Sequence, residues 1–233
     1  MTPRPRTVAA FVVLLLAGLT ALTGCNAGSG GSDLSPAQTL AAAKHNLDRT
    51  RGVHLVLSTG KLPSGVDGLL HADGVGTHAP AFKGDIKVAT SGFTADAAVV
   101  AVAGQVYAKL PFTTKFSKID PARFGAPDPA TMMDPKTGLS SLLTEAQNVK
   151  QGSQQRDGRK VLSTYTATLP GRAVATILPS ASASRSFKAT FTVTDTHRLD
   201  KAVLTGPFYP HAGDVTYTIA FDQYGVAKNI SAP

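Results

Sequence analysis

Two short motifs in this chain have the residue types and spacing of a serine nucleophile site. Ser58-Thr59-Gly60-Lys61 fits Ser-x-x-Lys, where a lysine activates a hydroxyl, and Lys136-Thr137-Gly138 fits the Lys-Thr-Gly that flanks such a site. The first motif must open a helix to aim its hydroxyl, yet Ser58 closes a run of period two. The second must lie on a strand, yet Lys136 precedes an expected helix, and no Ser-Asp-Asn lies between them. The six histidines are scattered, with no His-x-x-x-His pair and no cysteine beside them, so their spacing offers no metal site. Gly-x-Ser-x-Gly, Gly-x-Gly-x-x-Gly and the phosphate loop are absent. The residues thus assign no catalytic group, no metal and no cofactor. What remains is one thiol, Cys25, which has no partner for a disulfide within the chain.

The residues before Cys25 decide its chemistry. Met1 to Arg6 carry two arginines and no acid, and an apolar run from Val8 to Ala21 follows, broken only by Gly18 and Thr20. This is the plan of a signal peptide. The run is short of the ~20 residues that span a bilayer. Leu22-Thr23-Gly24-Cys25 resembles the lipobox of bacterial lipoproteins: aliphatic, small, Gly or Ala, then Cys. That resemblance implies a signal peptide over 1–24, cleavage before Cys25 and a diacylglycerol on its sulfur. At about 0.8 kcal/mol per buried methylene, two acyl chains hold a domain at a membrane. The expected location is the outer face of the cell membrane, with Cys25 as the anchor.

The elements downstream agree with an exported globule. Removing residues 1–24 takes Arg4 and Arg6 from a formal charge of +8 and leaves +6. The basic residues are scattered rather than interleaved with aromatics, a pattern that suits an anionic membrane and not a nucleic acid. Asn26 to Asp33 is a Gly/Ser-rich stretch read as a tether, so that residues 25–34 form anchor and spacer and 35–233 form one domain. Ser35-Pro36 opens a helix over about 36–50, with Leu40, Ala43 and Leu47 on one face. The period then changes to two, which predicts strands at 53–58, 68–78, 81–90, 93–103 and 105–110, the last two joined at Ala103-Gly104.

In the third of these strands Phe82, Gly84, Ile86 and Val88 share one face and Lys83, Asp85 and Lys87 the other. In the fourth, Thr94 and Asp96 mark the wet face and put Phe93, Ala95, Ala97, Val99 and Ala101 inward; the alanines leave that face shallow, with room for something else. Residues 117–134 read as a long Pro-rich loop with apolar contacts of its own. A helix over about 137–148 follows, with Leu139, Leu142, Leu143 and Ala146 on its apolar face. Two strands are expected within 158–169 and a short helix over 171–178, and a meander built on Phe187–Val193, Leu199–Leu204 and Val215–Phe221 closes the chain. The fold class is α+β: an antiparallel sheet of eight or more strands, one face wet and the other covered by three short helices.

The chain resembles the LppX and LprG family of actinobacterial cell-envelope lipoproteins (LppX_LprAFG), most of all its LprG branch. The likeness rests on the order lipobox, tether, helix, meander, Pro-rich loop, helix and meander. It also rests on Gly60-Lys61-Leu62-Pro63, Gly84-Asp85-Ile86-Lys87-Val88, Val100 to Leu110, and Asp134-Pro135-Lys136-Thr137-Gly138-Leu139. The resemblance implies a curved half-barrel sheet whose concave face carries helices around an apolar cavity for acyl chains of lipids or glycolipids, of triacylglycerol or lipoglycan type. It implies carriage of those lipids across the envelope, beside a membrane transporter of the lipid-export type. Ile86 matches a cavity-lining position, with Val88, Val99 and Val106 placed on the same wall; Phe93, Ala97, Leu142 and Leu143 complete the expected lipid-binding set. The same residues fit a second reading, a fully packed core in a surface lipoprotein whose partner is another protein.

Overall fold

The computed structural model describes residues 34–124 and 126–233. The expected signal segment, Cys25 and the expected tether up to Asp33 lie outside the described residues. Helix α1 (Pro36–Arg49) starts where local chemistry dictates. The Ser35 hydroxyl accepts the Gln38 N–H, the Gln38 side chain accepts the Ser35 N–H at 2.9 Å, and Pro36 fills a position whose N–H has no partner in a helix. Its buried face is Thr39, Leu40, Ala43 and Leu47.

The alternating segments form strands β1 (Gly52–Thr59), β2 (Gly68–Thr77), β3 (Ala81–Thr90), β4 (Phe93–Val102) and β5 (Gln105–Lys109). Two-residue turns join β3 to β4 at Ser91-Gly92 and β4 to β5 at Ala103-Gly104, and all four turn residues have positive φ, as the right-handed twist of a hairpin requires. The Pro-rich segment holds a three-residue strand, β6 (Ser117–Ile119), and two 3-10 turns at Pro121–Phe124 and Pro129–Met133. Then come a 3-10 turn at Leu139–Ser141, α2 (Leu142–Glu145), β7 (Gln147–Asp157), β8 (Lys160–Pro170), α3 (Gly171–Ile177), β9 (Ser186–Thr194), β10 (Leu199–Gly206) and β11 (Val215–Asp222).

Two sequence expectations are corrected here. The helix over 137–148 is only a 3-10 turn and one α-turn, because Ala146 is already extended and Gln147 starts β7. The two strands expected within 158–169 are one, β8, and its partner is β7 upstream. That partner has no alternation to read: nearly every one of its residues is exposed.

The eleven strands make one antiparallel open sheet in the order β6-β5-β4-β3-β2-β1-β11-β10-β9-β8-β7. Each half is an up-and-down meander, and the first and last strands of the domain, β1 and β11, join them. The helices lie on one face. Leu40, Ala43 and Leu47 of α1, Leu142 and Leu143 of α2, and Ala173 and Val174 of α3 share a core with Val53, Leu55, Phe82, Val99, Phe191, Leu204 and Phe221 of the sheet. Among the described residues the buried hydrophobic side chains run from Leu40 to Ile230, and residues 34–233 form one compact unit.

The opposite face carries Lys83, Asp85 and Lys87 in solvent, as the alternation requires, but it is not wet throughout. Ala81 and Val100 on that face are buried in a small cluster with Ile230 of the C-terminal tail. At its centre His54 bridges three strands: Nδ1 meets Asp222 of β11 at 2.5 Å and Nε2 meets Asp73 of β2 at 2.8 Å. Burial opposes charging this imidazole, but the hydrogen bonds and charges of the two carboxylates outweigh it and raise the pKa above 6.5.

A group whose pKa rises on folding stabilises the fold fully below its unfolded value, and that contribution is lost as pH rises through the folded value. The urea midpoint is therefore expected to fall as pH is raised from about 6.5 toward alkaline values. His54→Gln should flatten that slope; an unchanged slope in the variant would show that the bridge contributes nothing.

Candidate lipid-contacting face

The residues nominated as a lipid wall fall into three groups. Val99, Val106, Leu142 and Leu143 are all buried in the main core, and Ala97 is buried outside that cluster. Ile86 is half-buried against the edge of that core, and Val88, paired with Ala95, is half-buried beyond it. Phe93 departs from expectation. It has the inward parity, opposite Thr90, but it begins β4 at the Ser91-Gly92 turn, where no helix covers the sheet, and its side chain is 76% exposed. Alternation sets the face of a side chain, and coverage depends on what packs above it.

The small-residue face is partly filled by its own neighbours. A Cβ on Gly76 would sit 2.7 Å from Cγ of Met133, and one on Gly74 would sit 2.6 Å from the Phe82 ring. Met133 comes from the 3-10 turn at Pro129–Met133, where the Asp128 side chain accepts the Ala130 N–H at 2.9 Å and caps the turn. Sequence reasoning did not single out Met133 as the cover for this face. The available signal was Gly74-x-Gly76 inside a strand pattern, since glycine there marks close approach of another group. Coverage thins toward the end of β1 and the start of β2, where Leu57, Val66 and Leu70 join Ile86 as half-buried apolar residues against the core.

One polar pair borders this strip. Tyr209 donates to the Tyr217 hydroxyl at 2.6 Å, and Tyr217 donates to the Leu69 carbonyl at 2.8 Å. Burial is the largest influence on both phenols and raises their pKa values, so both stay neutral in the physiological range. Two surface pockets, of about 450 and 290 Å³, lie at the other end of the sheet. The larger is lined by Thr77, Ala81, Val102, Asp128 and Ile230, the smaller by Arg49 and Arg198 among others, and neither touches a nominated residue.

The segment Asp134-Pro135-Lys136-Thr137-Gly138-Leu139 positions the helical side of this face. One Asp134 carboxylate oxygen accepts the N–H groups of Lys136 and Thr137, each at 2.8 Å, and the Thr137 hydroxyl at 3.0 Å. These bonds, the two backbone ones foremost, hold the carboxyl below its usual range. The Gly138 N–H closes the turn on the Asp134 carbonyl at 2.8 Å, and the chain then enters the turn that buries Leu139, Leu142 and Leu143. Lys136 and Thr137 are thus exposed residues of a capped turn that ends on the buried Gly138, and Ser58 sits within β1. Among the described residues no group of three or more His, Cys, Asp and Glu is placed to hold a metal ion.

An open eleven-stranded antiparallel sheet with short helices on one apolar face is the architecture of a known group of lipoproteins. The model of the LppX_LprAFG lipoprotein family matches residues 35–225, and this chain belongs to that family. It is 29% identical over 212 residues to the lipoarabinomannan carrier protein LprG of Mycobacterium tuberculosis, covering 87% of this chain and 88% of that protein. Its fold is that of LprF from Mycobacterium bovis, with a TM-score of 0.68 at 16% identity over 85% of this chain and 96% of that one. LppX of Mycobacterium tuberculosis gives 0.61 at 17% identity over 86% and 100%.

A Cβ at Gly138 would lie 2.4 Å from the Met132 carbonyl and 2.6 Å from that of Asp134, both backbone atoms that cannot step aside. Gly138→Ala is expected to cost roughly 1–3 kcal/mol, read as a lower urea midpoint at unchanged slope. A midpoint equal to the parent's would mean that the turn is not under this steric constraint.

Proposed function

We propose that this chain is a non-catalytic lipid carrier, anchored through an acylated Cys25, which holds the acyl chains of a lipid or glycolipid against the helix-covered face of its sheet. The observation that carries the reading is the place where packing stops short. Leu57, Val66, Leu70 and Ile86 are apolar, point to the core, and are only half covered. Acyl chains need no directional contact; burial at about 25 cal/mol per Å² suffices to hold them. Ala97, Val99 and Val106 line the wall deeper in, and Leu142 and Leu143 form the lid side. Met133 over Gly76 is the movable filler, since an unbranched thioether side chain repacks at little cost. The relative named as a lipoarabinomannan carrier supports a glycolipid among the cargoes. Residues 1–24 are the export signal, 25–34 the anchor and spacer, and 35–233 the binding domain. Hand-over to a membrane transporter is carried by the family resemblance alone.

A specific observation favours a second reading. Val99, Val106, Leu142 and Leu143 are all buried in one continuous cluster, and Ala97 is buried as well. On this reading the core is closed and the partner is a protein.

Organic extracts of the purified domain, analysed by mass spectrometry before and after incubation with triacylglycerol or a diacyl glycolipid, separate the two. A carrier retains acyl lipid; neither co-purified nor added lipid would leave the packed reading standing. Ile86→Trp should reduce loading several-fold while the unfolding midpoint stays near that of the parent, because bulk is added at the margin of the core. Unfolding of the variant would instead make Ile86 part of a closed core. Cys25→Ser is expected to move the mature chain from the membrane fraction to the soluble one, and retention in the membrane would rule out the thiol as anchor.

A further inference from the structure

Three of the four exposed large hydrophobic side chains among the described residues gather at one end of the sheet. Among the described residues the exposed large hydrophobics are Leu34, Phe93, Leu110 and Phe112, and the last three belong to two neighbouring turns. Phe93 follows the β3–β4 turn. β5 runs antiparallel to β4 with Lys109 opposite Ala98, so Leu110 and Phe112 continue beside the residues that lead back to Phe93. Phe93 is 76% exposed, Leu110 55%, and Phe112 fully.

Both turns are held. Asp67 accepts the Ser91 N–H at 2.8 Å and the Thr90 hydroxyl at 3.3 Å. Thr113 donates its N–H at 3.1 Å and its hydroxyl at 2.7 Å to the Leu110 carbonyl. Phe112 has φ +65°, a conformation that a bulky side chain rarely adopts, and its ring is thrust clear of the protein. Cations flank the second tip: Lys109 directly precedes Leu110, Lys115 lies three residues beyond Phe112, and no acid occurs between Lys109 and Lys118. Asp96 is already met by Lys87 at 3.5 Å, and Asp67 is engaged in the turn.

We propose that this end of the sheet is a membrane-docking surface. Phe93, Leu110 and Phe112 insert at the boundary between head groups and acyl chains, and the flanking lysines meet the phosphates of an anionic bilayer. The residues beside the apolar ones at the two tips, Ser91, Gly92, Thr94, Thr113 and Thr114, are polar or small and exposed. The two tips therefore offer no continuous apolar patch to a protein partner, whereas a fluid bilayer admits each tip separately. On the carrier reading, the half-covered strip of Leu70 and Ile86 opens toward the same end, so docking brings it to the lipid it loads.

The test uses residues 35–233, without the acyl anchor, sedimented with vesicles of phosphatidylcholine alone or mixed equally with phosphatidylglycerol. The domain is expected to bind the anionic vesicles. Phe93→Ser with Phe112→Ser should cut partitioning about tenfold or more without changing the melting temperature. Lys109→Glu with Lys115→Glu should weaken binding and remove its salt dependence. Absence of binding by the parent domain, or binding unaffected by the phenylalanine pair, overturns the proposal. So does loss of self-association in sedimentation velocity without loss of vesicle binding, which would assign the patch to a second copy. Loading of triacylglycerol from detergent micelles is read in parallel, so failure of docking is distinguishable from failure of the carrier reading.

Discussion

The pairing of β1 with β11 is the constraint on which the rest of this domain depends. Each meander alone is an open sheet with two bare edges and too little apolar area above it. The pairing from His54 opposite Asp222 to Thr59 opposite Tyr217 joins them into one surface. It places Leu55 beside Phe221 and Leu57 beside Ile219, so the core runs unbroken across the junction. On the outer face the same junction is braced by His54 between Asp73 and Asp222, and on the inner face by Tyr217 reaching across to the Leu69 carbonyl. These contacts join residues far apart in sequence, so the entropy of closing the chain is met only when both meanders exist.

The junction also explains where the helices sit. One continuous apolar face needs one continuous cover. Helix α1 packs on the second meander and on α2, while the 3-10 turn ending at Met133 packs on β2, β3 and β4. The cover is densest over the middle and thins toward Leu57, Leu70 and Ile86. At that end the two hairpin tips with Phe93 and Phe112 project into solvent. A half-covered apolar strip and two exposed aromatic tips thus share one end of the sheet.

Much of this was legible beforehand because it is local. The Ser35-Pro36 start of α1, the strands β1 to β5 and the Ala103-Gly104 turn follow from capping, period-two alternation and turn chemistry, each decided within a few residues. β7 was not legible, because its residues face water on both sides and an exposed edge strand needs no apolar alternation. The helix over 137–148 was overread because Leu139, Leu142 and Leu143 serve a 3-10 turn and a single α-turn as well as a longer helix. Phe93 was misjudged for a third reason: its parity was right, but coverage is a property of the other elements.

By itself, then, the sequence determined which segments alternate, where helix α1 is capped, which face of each strand is apolar, and, through Asp134-Pro135-Lys136-Thr137-Gly138-Leu139, the turn that defines the family likeness. Short-range sterics and hydrogen bonds settle all of these. Only the tertiary structure decided that β1 and β11 meet, that Met133 fills the space above Gly76, that Ile230 covers Val100 on the outer face, and that Ile86 lies at the margin of the core and not within it. Those outcomes depend on which elements compete for the same apolar surface, and that competition is resolved only when the whole chain is packed.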